Sequence, residues 1–471
     1  MTIVMASTLA AGTTLPAVAA GHPTGTGSAV DGVWRVDGYG TVLSIADGHL
    51  QEYQTTAISC VPGEAAVQTA PGTYRTEDKT LLTVRPQGTL HVAGATGDRR
   101  LRRLAALPKT CDHVQPADEV TALTAFDVFW QTFQENYPFF ADRGIDWHAV
   151  RDAYRPKVHA DTTREELLAL LDDMMAPLND AHVSVSYGDR RSDPHLRPGT
   201  TSDLQGLDAR AKEHIIRRDL GGKAPQEFGN GRISYADLPD GQGYLRISGF
   251  AGYDPKDRTY AGRLAELDRA LDAVLTRERT SSLRGLIIDL RLNGGGDDAL
   301  GVHLAGRLTD TPYLAYRKRT RYTPPHSVRV EPAHDAPRYT GPVAVLTADT
   351  TFSAGESFVQ ALIDRPGRTF RVGGPTQGVF SDMLERSLPN GMEFTLPNEE
   401  FLTRTGRTFD ITGIPPHLPT PVFTEEEFAQ NRDSAFDTAV AALKRRGPAR
   451  EARTAEARHA DPRSTGAAPD G

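Results

Sequence analysis

Residues 285–300 of this 471-residue chain read GLIIDLRLNGGGDDAL, an apolar run that ends in three glycines and two aspartates. The short run favours a buried strand, which the glycines end. Asp297 and Asp298 then fall in the first turn of a following helix, where carboxylates stabilise the positive helix end. Strand, turn and helix in this order predict one unit of an α/β domain.

The same order recurs on both sides of this stretch. The run GYLRISGF precedes the helical pattern RLAELDRALDAVL, and GPVAVLTAD precedes SAGESFVQALI. Repeated β-α alternation predicts a central sheet that is covered by helices. We therefore assign residues 233–445 to an α/β domain.

Residues 31–112 form a separate β-rich region of the sequence. Short alternating runs are broken there by Asp-Gly, Pro-Gly and Gln-Gly turns, which predicts a small barrel or sandwich. The two cysteines of the chain, Cys60 and Cys111, both lie in this region. In an exported protein such a pair predicts a disulfide, whereas in a reducing compartment the same residues would be buried thiols.

Residues 117–187 are predicted as a helical module, in which helical periodicity continues to about Leu178. Large apolar residues recur there at steps of three and four and predict one buried helix face, formed by Phe126, Phe129, Trp130 and Phe133. Thr163 and Glu166 form a capping box at the start of a later helix. The polar residues 188–232 are predicted as a linker with room for one helix.

The two ends of the chain differ from these regions in composition. Residues 1–20 are uncharged and contain Ala17-Val18-Ala19, the pattern of a signal-peptidase site, so we predict a signal peptide and a secreted protein. A disordered Ala-rich terminus is the alternative. Residues 446–471 are charged and poor in large apolar groups, which predicts a disordered tail.

The composition argues against several functions. The formal net charge is −8 and no basic run carries interleaved aromatics, so we expect no nucleic-acid partner. No apolar stretch of about 18 residues follows the first twenty, so we expect no membrane span. The cysteines have no histidine partners at zinc spacing, and we predict neither a metal nor a cofactor.

The turn at Gly294–Gly296 has three readings. It fits the loose dinucleotide fingerprint, but Asp297 and Asp298 already satisfy the positive helix end and would repel a pyrophosphate. It can also be a simple tight turn. In the third reading it is an oxyanion hole, in which glycines let backbone N–H groups face a pocket.

Ser353 follows a second apolar strand, in the sequence TFSAGE. Because Ser353 and Glu356 form a capping box, the serine taken alone is most simply a helix cap. A serine at a strand-to-helix turn is also how a nucleophile is presented, with its Oγ exposed and N–H groups nearby. The small residues Ala354 and Gly355 would let a substrate carbonyl approach closely.

Five segments in this order together resemble the tail-specific (C-terminal processing) protease family: GLIIDLRLNGGG, VAVLTADTTFSAGE, VGGPTQG, LPNG and GIPP. The segments FQENYPFFADRGIDW and LNDAHV also resemble the helical module of its tricorn-like and interphotoreceptor retinoid-binding-protein-like branch. The resemblance covers roughly residues 120–425. It implies a crotonase-like α/β catalytic core, a peptide or protein substrate, Ser353 as nucleophile, and oxyanion donors at Ala354 and Gly295.

The sequence departs from the serine–lysine dyad that bacterial members of the family use. That lysine would directly follow Thr376-Gln377-Gly378, where this chain has Val379. No lysine occurs between Lys318 and Lys444, so a dyad of the usual spacing is impossible.

The tricorn-like resemblance instead implies His182 as the general base and Asp410 as the carboxylate that orients it. Such a set is chemically coherent, because a base must take the serine proton and a carboxylate fixes the imidazole tautomer. His417 is the alternative base. Taken alone, His182 is more simply a satisfied core residue and Asp410 a turn aspartate.

We therefore expect a secreted serine peptidase that acts through an acyl-enzyme on Ser353. The stretch between Tyr187 and Gly243 is too short for the PDZ domain that many relatives insert there, since independent domains rarely have fewer than about 50 residues. Two alternatives stay open. They are a non-catalytic protein that binds an apolar ligand on the same fold, and a small-molecule esterase or amidase.

Overall fold

An eight-stranded antiparallel barrel begins the part of the chain that the computed structural model describes, which is residues 28–201 and 206–445. Its strands are β1 (Gly32–Val36), β2 (Thr41–Ala46), β3 (His49–Thr55), β4 (Cys60–Ala70), β5 (Thr73–Thr76), β6 (Leu81–Arg85), β7 (Thr89–Val92) and β8 (Arg99–Leu104). Strand β1 pairs with β8, so the sheet closes and leaves no edge. The predicted barrel or sandwich is confirmed as a barrel.

Two predicted segments lie outside the described residues. They are the signal peptide of residues 1–20 and the disordered tail of residues 446–471. Within the described ranges, no helix is long and apolar enough to cross a membrane.

A disulfide joins the barrel to the chain that leaves it. Cys60 begins β4, and Cys111 ends the short 3-10 turn Lys109–Cys111 that leads to the helical region. The predicted pairing is therefore present, and it closes a loop between positions 51 residues apart.

Three helices follow the barrel and pack against it. They are α1 (Ala122–Asn136), α2 (Trp147–Tyr154) and α3 (Arg164–Met175), and the 3-10 turn Ala176–Leu178 extends the last. The predicted face of α1 is buried and the predicted capping box at Thr163 is present. One hydrophobic core runs through the barrel, these helices and the small sheet described next.

That small sheet has the order β10-β9-β20-β19 and is antiparallel throughout. Its strands are β9 (Ser184–Tyr187), β10 (Arg190–Arg191), β19 (Met383–Ser387) and β20 (Glu393–Pro397). Phe394 of β20 packs on Phe129 of α1, with ring centroids 5.0 Å apart. The sheet therefore brings the end of the helical module against residues that lie about two hundred positions later.

A seven-stranded sheet of order β11-β12-β13-β14-β17-β18-β22 forms the centre of the α/β core. Its strands are β11 (Gln226–Phe228), β12 (Ile233–Leu238), β13 (Gln242–Ile247), β14 (Gly285–Asp289), β17 (Val343–Thr347), β18 (Thr369–Gly373) and β22 (Leu418–Pro419). All pairs from β13 to β22 are parallel. A smaller sheet of order β16-β15-β21 is built from β15 (Tyr313–Thr320), β16 (His326–Val330) and β21 (Glu399–Leu402).

Seven helices belong to this core in the described residues. They are α4 (Leu207–His214), α5 (Tyr260–Val274), α6 (Arg277–Ser282), α7 (Asp298–Gly306), α8 (Ala354–Ala361), α9 (Glu425–Ala429) and α10 (Ser434–Lys444). The segment predicted as a linker, residues 188–232, contains β10, α4 and β11. The α/β core and its helical and β-rich modules agree with the predicted fold class.

The disulfide yields a first prediction, because its loss frees a long loop in the unfolded chain. We expect the double variant Cys60→Ser, Cys111→Ser to lose about 4 kcal/mol of unfolding free energy, measured by urea titration without reductant. Intact-mass analysis of the native protein should show no thiol that iodoacetamide alkylates before reduction. Two readily alkylated thiols in the native protein would contradict the bridge.

Candidate active site

The candidate site lies where two parallel strands end. Strands β14 and β17 are paired neighbours, so the glycine-rich turn after β14 and the serine segment after β17 meet at one edge of the sheet. Gly295 has a φ of 86°, and a Cβ there would lie 2.7 Å from the Ser353 Cβ and 3.3 Å from the Ala354 nitrogen. Only glycine fits this contact, which places the turn directly against the serine.

Ser353 has a backbone conformation that a helix cap does not need. Its φ is 51° and its ψ is −120°, although the capping box with Glu356 is present. Ordinary caps in this chain, such as Thr259 and Thr276, have extended backbones. A strained non-glycine residue at a strand-to-helix turn is the geometry that presents a nucleophile.

Glu356 is a buried carboxylate beneath this turn. It accepts the backbone N–H of Gly378 at 2.6 Å, of Val379 at 2.9 Å and of Ser353 at 3.2 Å. Burial raises the pKa of Glu356 to about 7, and these hydrogen bonds oppose that rise. One side chain therefore links the serine turn to the segment where the family's lysine would stand.

The glycine-rich turn and the start of α8 offer backbone donors. The Gly295 N–H donates to Asn293 Oδ1 at 2.9 Å, and the Gly294 N–H donates to the Ser248 carbonyl at 3.3 Å. The N–H groups of Gly296 and Ala354 have no acceptor in the described part of the chain. Gly295 is thus the glycine closest to Ser353, while the free donors belong to its neighbour and to Ala354.

His182 reaches the site from the helical module. It is buried, and its ring lies edge-on to that of Phe352, with centroids 5.4 Å apart. Burial lowers the pKa of His182, opposed by the charges of Asp180 and Asp382 and by a backbone hydrogen bond with Ser381. The imidazole is therefore neutral at pH 7, as a general base requires.

Asp180 fixes the loop that carries His182. Its carboxylate accepts the His182 backbone N–H at 3.0 Å, the Tyr137 hydroxyl at 2.8 Å and an Arg143 N–H at 3.0 Å. All these partners are largely buried. Sequence reasoning did not single out this carboxylate, and the only local signal was its position two residues before the histidine.

Asp410 lies in the same region but does not bond His182. Its carboxylate accepts the Phe380 N–H at 3.1 Å and the Thr408 hydroxyl at 2.8 Å. Burial raises the pKa of Asp410 to about 8; those hydrogen bonds oppose the rise, and Asp180 and Glu356 add to it. Asp410 therefore holds the loop before β19 rather than contacting the imidazole directly.

His417, the alternative base, lies between β18 and β22 at the far part of the central sheet. Its Nδ1 accepts the Arg371 backbone N–H at 3.0 Å. Burial and the charge of Arg371 lower the pKa of His417 to about 3. No contact joins it to the serine turn within the described residues.

Among the residues that the structure describes, no group of three or more His, Cys, Asp or Glu side chains could hold a metal ion. A cavity of about 310 Å³ lies elsewhere, between α4 and α9, and is lined by Arg210, Glu213, His214, Arg217, Glu425, Phe428 and Ala429.

A strained serine beside a glycine turn, with free backbone donors and a neutral histidine nearby, is the arrangement that serine hydrolases use. Residues 241–420 match the model of peptidase family S41, and residues 120–176 match the tricorn protease C1 domain. The chain belongs to the S41, or tail-specific, protease family and is a serine peptidase. The finer retinoid-binding-protein-like assignment stays a prediction.

Solved structures are similar to this chain at low sequence identity. A protein from Parabacteroides merdae that is described as a peptidase is 24% identical, with a TM-score of 0.57, covering 70% of this chain and 98% of its own. Mature CPAF is 14% identical (TM-score 0.48, covering 69% and 96%), and the photosystem II D1 C-terminal processing protease is 17% identical (0.42, 67% and 99%). No curated protein matches the sequence.

The buried Asp410 predicts a pH-dependent stability. Because its pKa is raised to about 8, its stabilising contribution is complete below its unfolded value near 4 and is lost as the pH rises through about 8. Asp410→Asn lacks this titration. Between pH 5 and pH 8, the unfolding free energy of the variant should therefore rise relative to that of wild type by on the order of 1–3 kcal/mol.

Urea unfolding of both proteins across that pH range measures the difference. The control is Asp364→Asn, which removes a carboxylate that pairs with Arg404 at the surface. A difference between wild type and Asp410→Asn that stays constant with pH would show that Asp410 is ionised throughout.

Proposed function

We propose that this protein hydrolyses peptide bonds through an acyl-enzyme on Ser353, with His182 as the general base. The observation that carries the proposal is the strained Ser353 backbone at the start of α8, in contact with Gly295. The short distance from the His182 ring to Phe352, the residue before the serine, supports the choice of base.

In the proposed reaction, Ser353 Oγ attacks the scissile carbonyl while His182 takes the hydroxyl proton. The tetrahedral oxyanion is stabilised by the Ala354 N–H and by a glycine N–H of the turn. For Gly295 to serve as that glycine, its N–H must turn from Asn293 or be shared with it. His182 then gives its proton to the leaving amine, and water hydrolyses the ester by the same steps.

We propose that Asp410 supports this chemistry without contacting His182, by holding the loop that lies next to the imidazole. Its hydrogen bond with the Phe380 N–H holds the chain next to Ser381, whose backbone acts on the pKa of the His182 ring. The orienting function that the family resemblance implies for Asp410 is then exerted through the loop and not by direct contact.

Export from the cell is also part of the proposal. The signal-like pattern of residues 1–20 supports it, and so does the Cys60–Cys111 disulfide, because such bridges persist in oxidising compartments. N-terminal sequencing of protein recovered from culture medium tests it. A start near residue 20 supports export, and retention of the full-length chain in cells counts against it.

The proposed nucleophile predicts the outcome of active-site labelling. A fluorophosphonate should label the wild-type protein, and Ser353→Ala should abolish labelling, because the probe reacts with an activated serine hydroxyl. Loss of the cap should lower stability by only about 1 kcal/mol, so the variant stays folded. Ser234→Ala removes a buried serine of β12 and should label normally. Equal labelling of wild type and Ser353→Ala would exclude Ser353.

The proposed base predicts a second set of outcomes, with hydrolysis or labelling rate as the measurement. His182→Ala should reduce the rate by orders of magnitude, whereas His417→Ala should retain most of it. Because burial lowers the pKa of His182, the rate should fall with decreasing pH only below the ordinary histidine value of about 6.5. An inactive His417→Ala beside an active His182→Ala would reverse the assignment.

A further inference from the structure

We propose that Asp382 is a positioning residue for His182, and that the N-terminal barrel holds Asp382 in place through Glu399 and Lys318. This inference rests on the proposed function, in which His182 is the base. It assigns the barrel a part in the peptidase reaction that no sequence motif indicates.

The small sheet brings Asp382 to the histidine. Thr395 of β20 pairs with Ser184 of β9, and Pro397 at the end of β20 pairs with Met383 at the start of β19. His182 and Asp382 therefore precede strands that begin at the same end of the sheet, with the end of β20 between them. The Thr395 hydroxyl also donates to the His182 carbonyl at 2.9 Å.

The backbone next to Asp382 also lies near the His182 ring. Ser381, the residue before Asp382, acts through its backbone to raise the pKa of that ring. The Nδ1 atom of His182 has no hydrogen-bond partner among the described residues.

A buried lysine fixes the Asp382 carboxylate. The Lys318 Nζ lies 3.1 Å from Asp382 Oδ2 and 2.8 Å from Glu399 Oε2, and its side chain is only 1% exposed. Sequence reasoning used Lys318 only to exclude a serine–lysine dyad. Burial opposes its charge, but Asp382 and Glu399 raise the pKa of Lys318 well above its usual value, so it is a structural cation and not a base.

The barrel completes this ion cluster. The Tyr39 hydroxyl donates to Glu399 Oε1, and the Arg99 guanidinium lies over the Tyr39 ring at 4.3 Å. Asn398, next to Glu399, also donates to the Gly38 carbonyl at 3.1 Å. One barrel side chain, Tyr39 of the β1–β2 turn, therefore contacts the cluster directly, and Arg99 of β8 packs on the Tyr39 ring.

The charges of the cluster favour an ionised Asp382. Burial alone would raise the pKa of Asp382, but Lys318 and Arg99 lower it, whereas burial raises the pKa of Glu399 and of the nearby Asp298. Several charged groups act on His182 and Asp382. They are Asp180 on the His182 loop, Lys318 of β15, Arg99 of β8, Glu399 of β21, and Asp297 and Asp298 at the start of α7.

An ionised Asp382 would stabilise the imidazolium that forms when His182 takes the serine proton. Asp180 acts on the same ring, but its carboxylate is already engaged by Arg143 and Tyr137. Lys318 keeps the Asp382 carboxylate at a fixed place. Without the hydrogen bond from the Tyr39 hydroxyl, Glu399 would pair more strongly with Lys318. The ion pair between Lys318 and Asp382 would then be weaker.

Two measurements test the inference. The first is the pH profile of the rate constant for inactivation by a fluorophosphonate, and the second is the NMR titration of His182. In Asp382→Asn the pKa of His182 should fall by about half to one unit, because a neighbouring negative charge is gone. The acid limb of the inactivation profile should move to lower pH by the same amount, and the plateau rate should drop about tenfold.

The barrel is tested by a matched pair of variants. Tyr39→Phe and Tyr74→Phe each remove one hydroxyl from a buried barrel tyrosine, but the Tyr74 hydroxyl has no partner in the described residues. Tyr39→Phe should slow inactivation several-fold. It should also lower the pKa of His182, as Asp382→Asn does, but by a smaller amount. Tyr74→Phe should match wild type in both measurements. Should Asp382→Asn fail to fold, Tyr39→Phe still decides the question.

Several outcomes would overturn the inference. An unchanged His182 titration in folded Asp382→Asn would do so, and so would equal behaviour of Tyr39→Phe and Tyr74→Phe. If the pKa of His182 shifted in Asp410→Asn but not in Asp382→Asn, Asp410 would be the supporting carboxylate. Failure of the proposed function is distinguishable, because absence of labelling in wild type leaves the His182 titration readable by NMR.

Discussion

The site depends first on one buried carboxylate, that of Glu356. It binds the backbone of the serine turn and of the segment Gly378–Val379 at once, so two separate loops of the core are fixed relative to each other. A buried carboxylate that lacked these donors would be costly, and three backbone donors supply them. The strained turn at Ser353 is kept in place by this arrangement.

The modules of the chain are joined more closely than the order of motifs suggests. A single hydrophobic core passes from the barrel through the helices to the small sheet. His182 comes from one module and Ser353 from another, and Tyr39 of the third module contacts the ion cluster of Lys318, Asp382 and Glu399. The barrel is thus packed directly against the α/β core, through Tyr39 on Glu399 and Gly38 on Asn398.

Local sequence patterns were sufficient to predict most of the fold. Alternation, turn residues and the period of α1 predicted the barrel or sandwich, the buried helix face and the strand-to-helix units correctly. Contacts between distant segments could not be predicted, since Lys318 with Asp382 and Glu399 has no local signature. For the same reason Asp410 was expected at the imidazole, whereas hydrogen bonds to Phe380 and Thr408 engage it instead.

The pairing of β9 with β20 also determines when the enzyme can become complete. Ser184 and Thr395 meet across 211 positions of sequence, and the contact that places His182 spans 213. Such distant pairings form late, because the entropy of closing a long loop must be overcome first. A nascent chain that ends before β20 already contains the serine turn, but it lacks the Thr395 contact that places His182. In the proposed mechanism, synthesis must therefore pass β20 before the chain can hydrolyse a peptide bond.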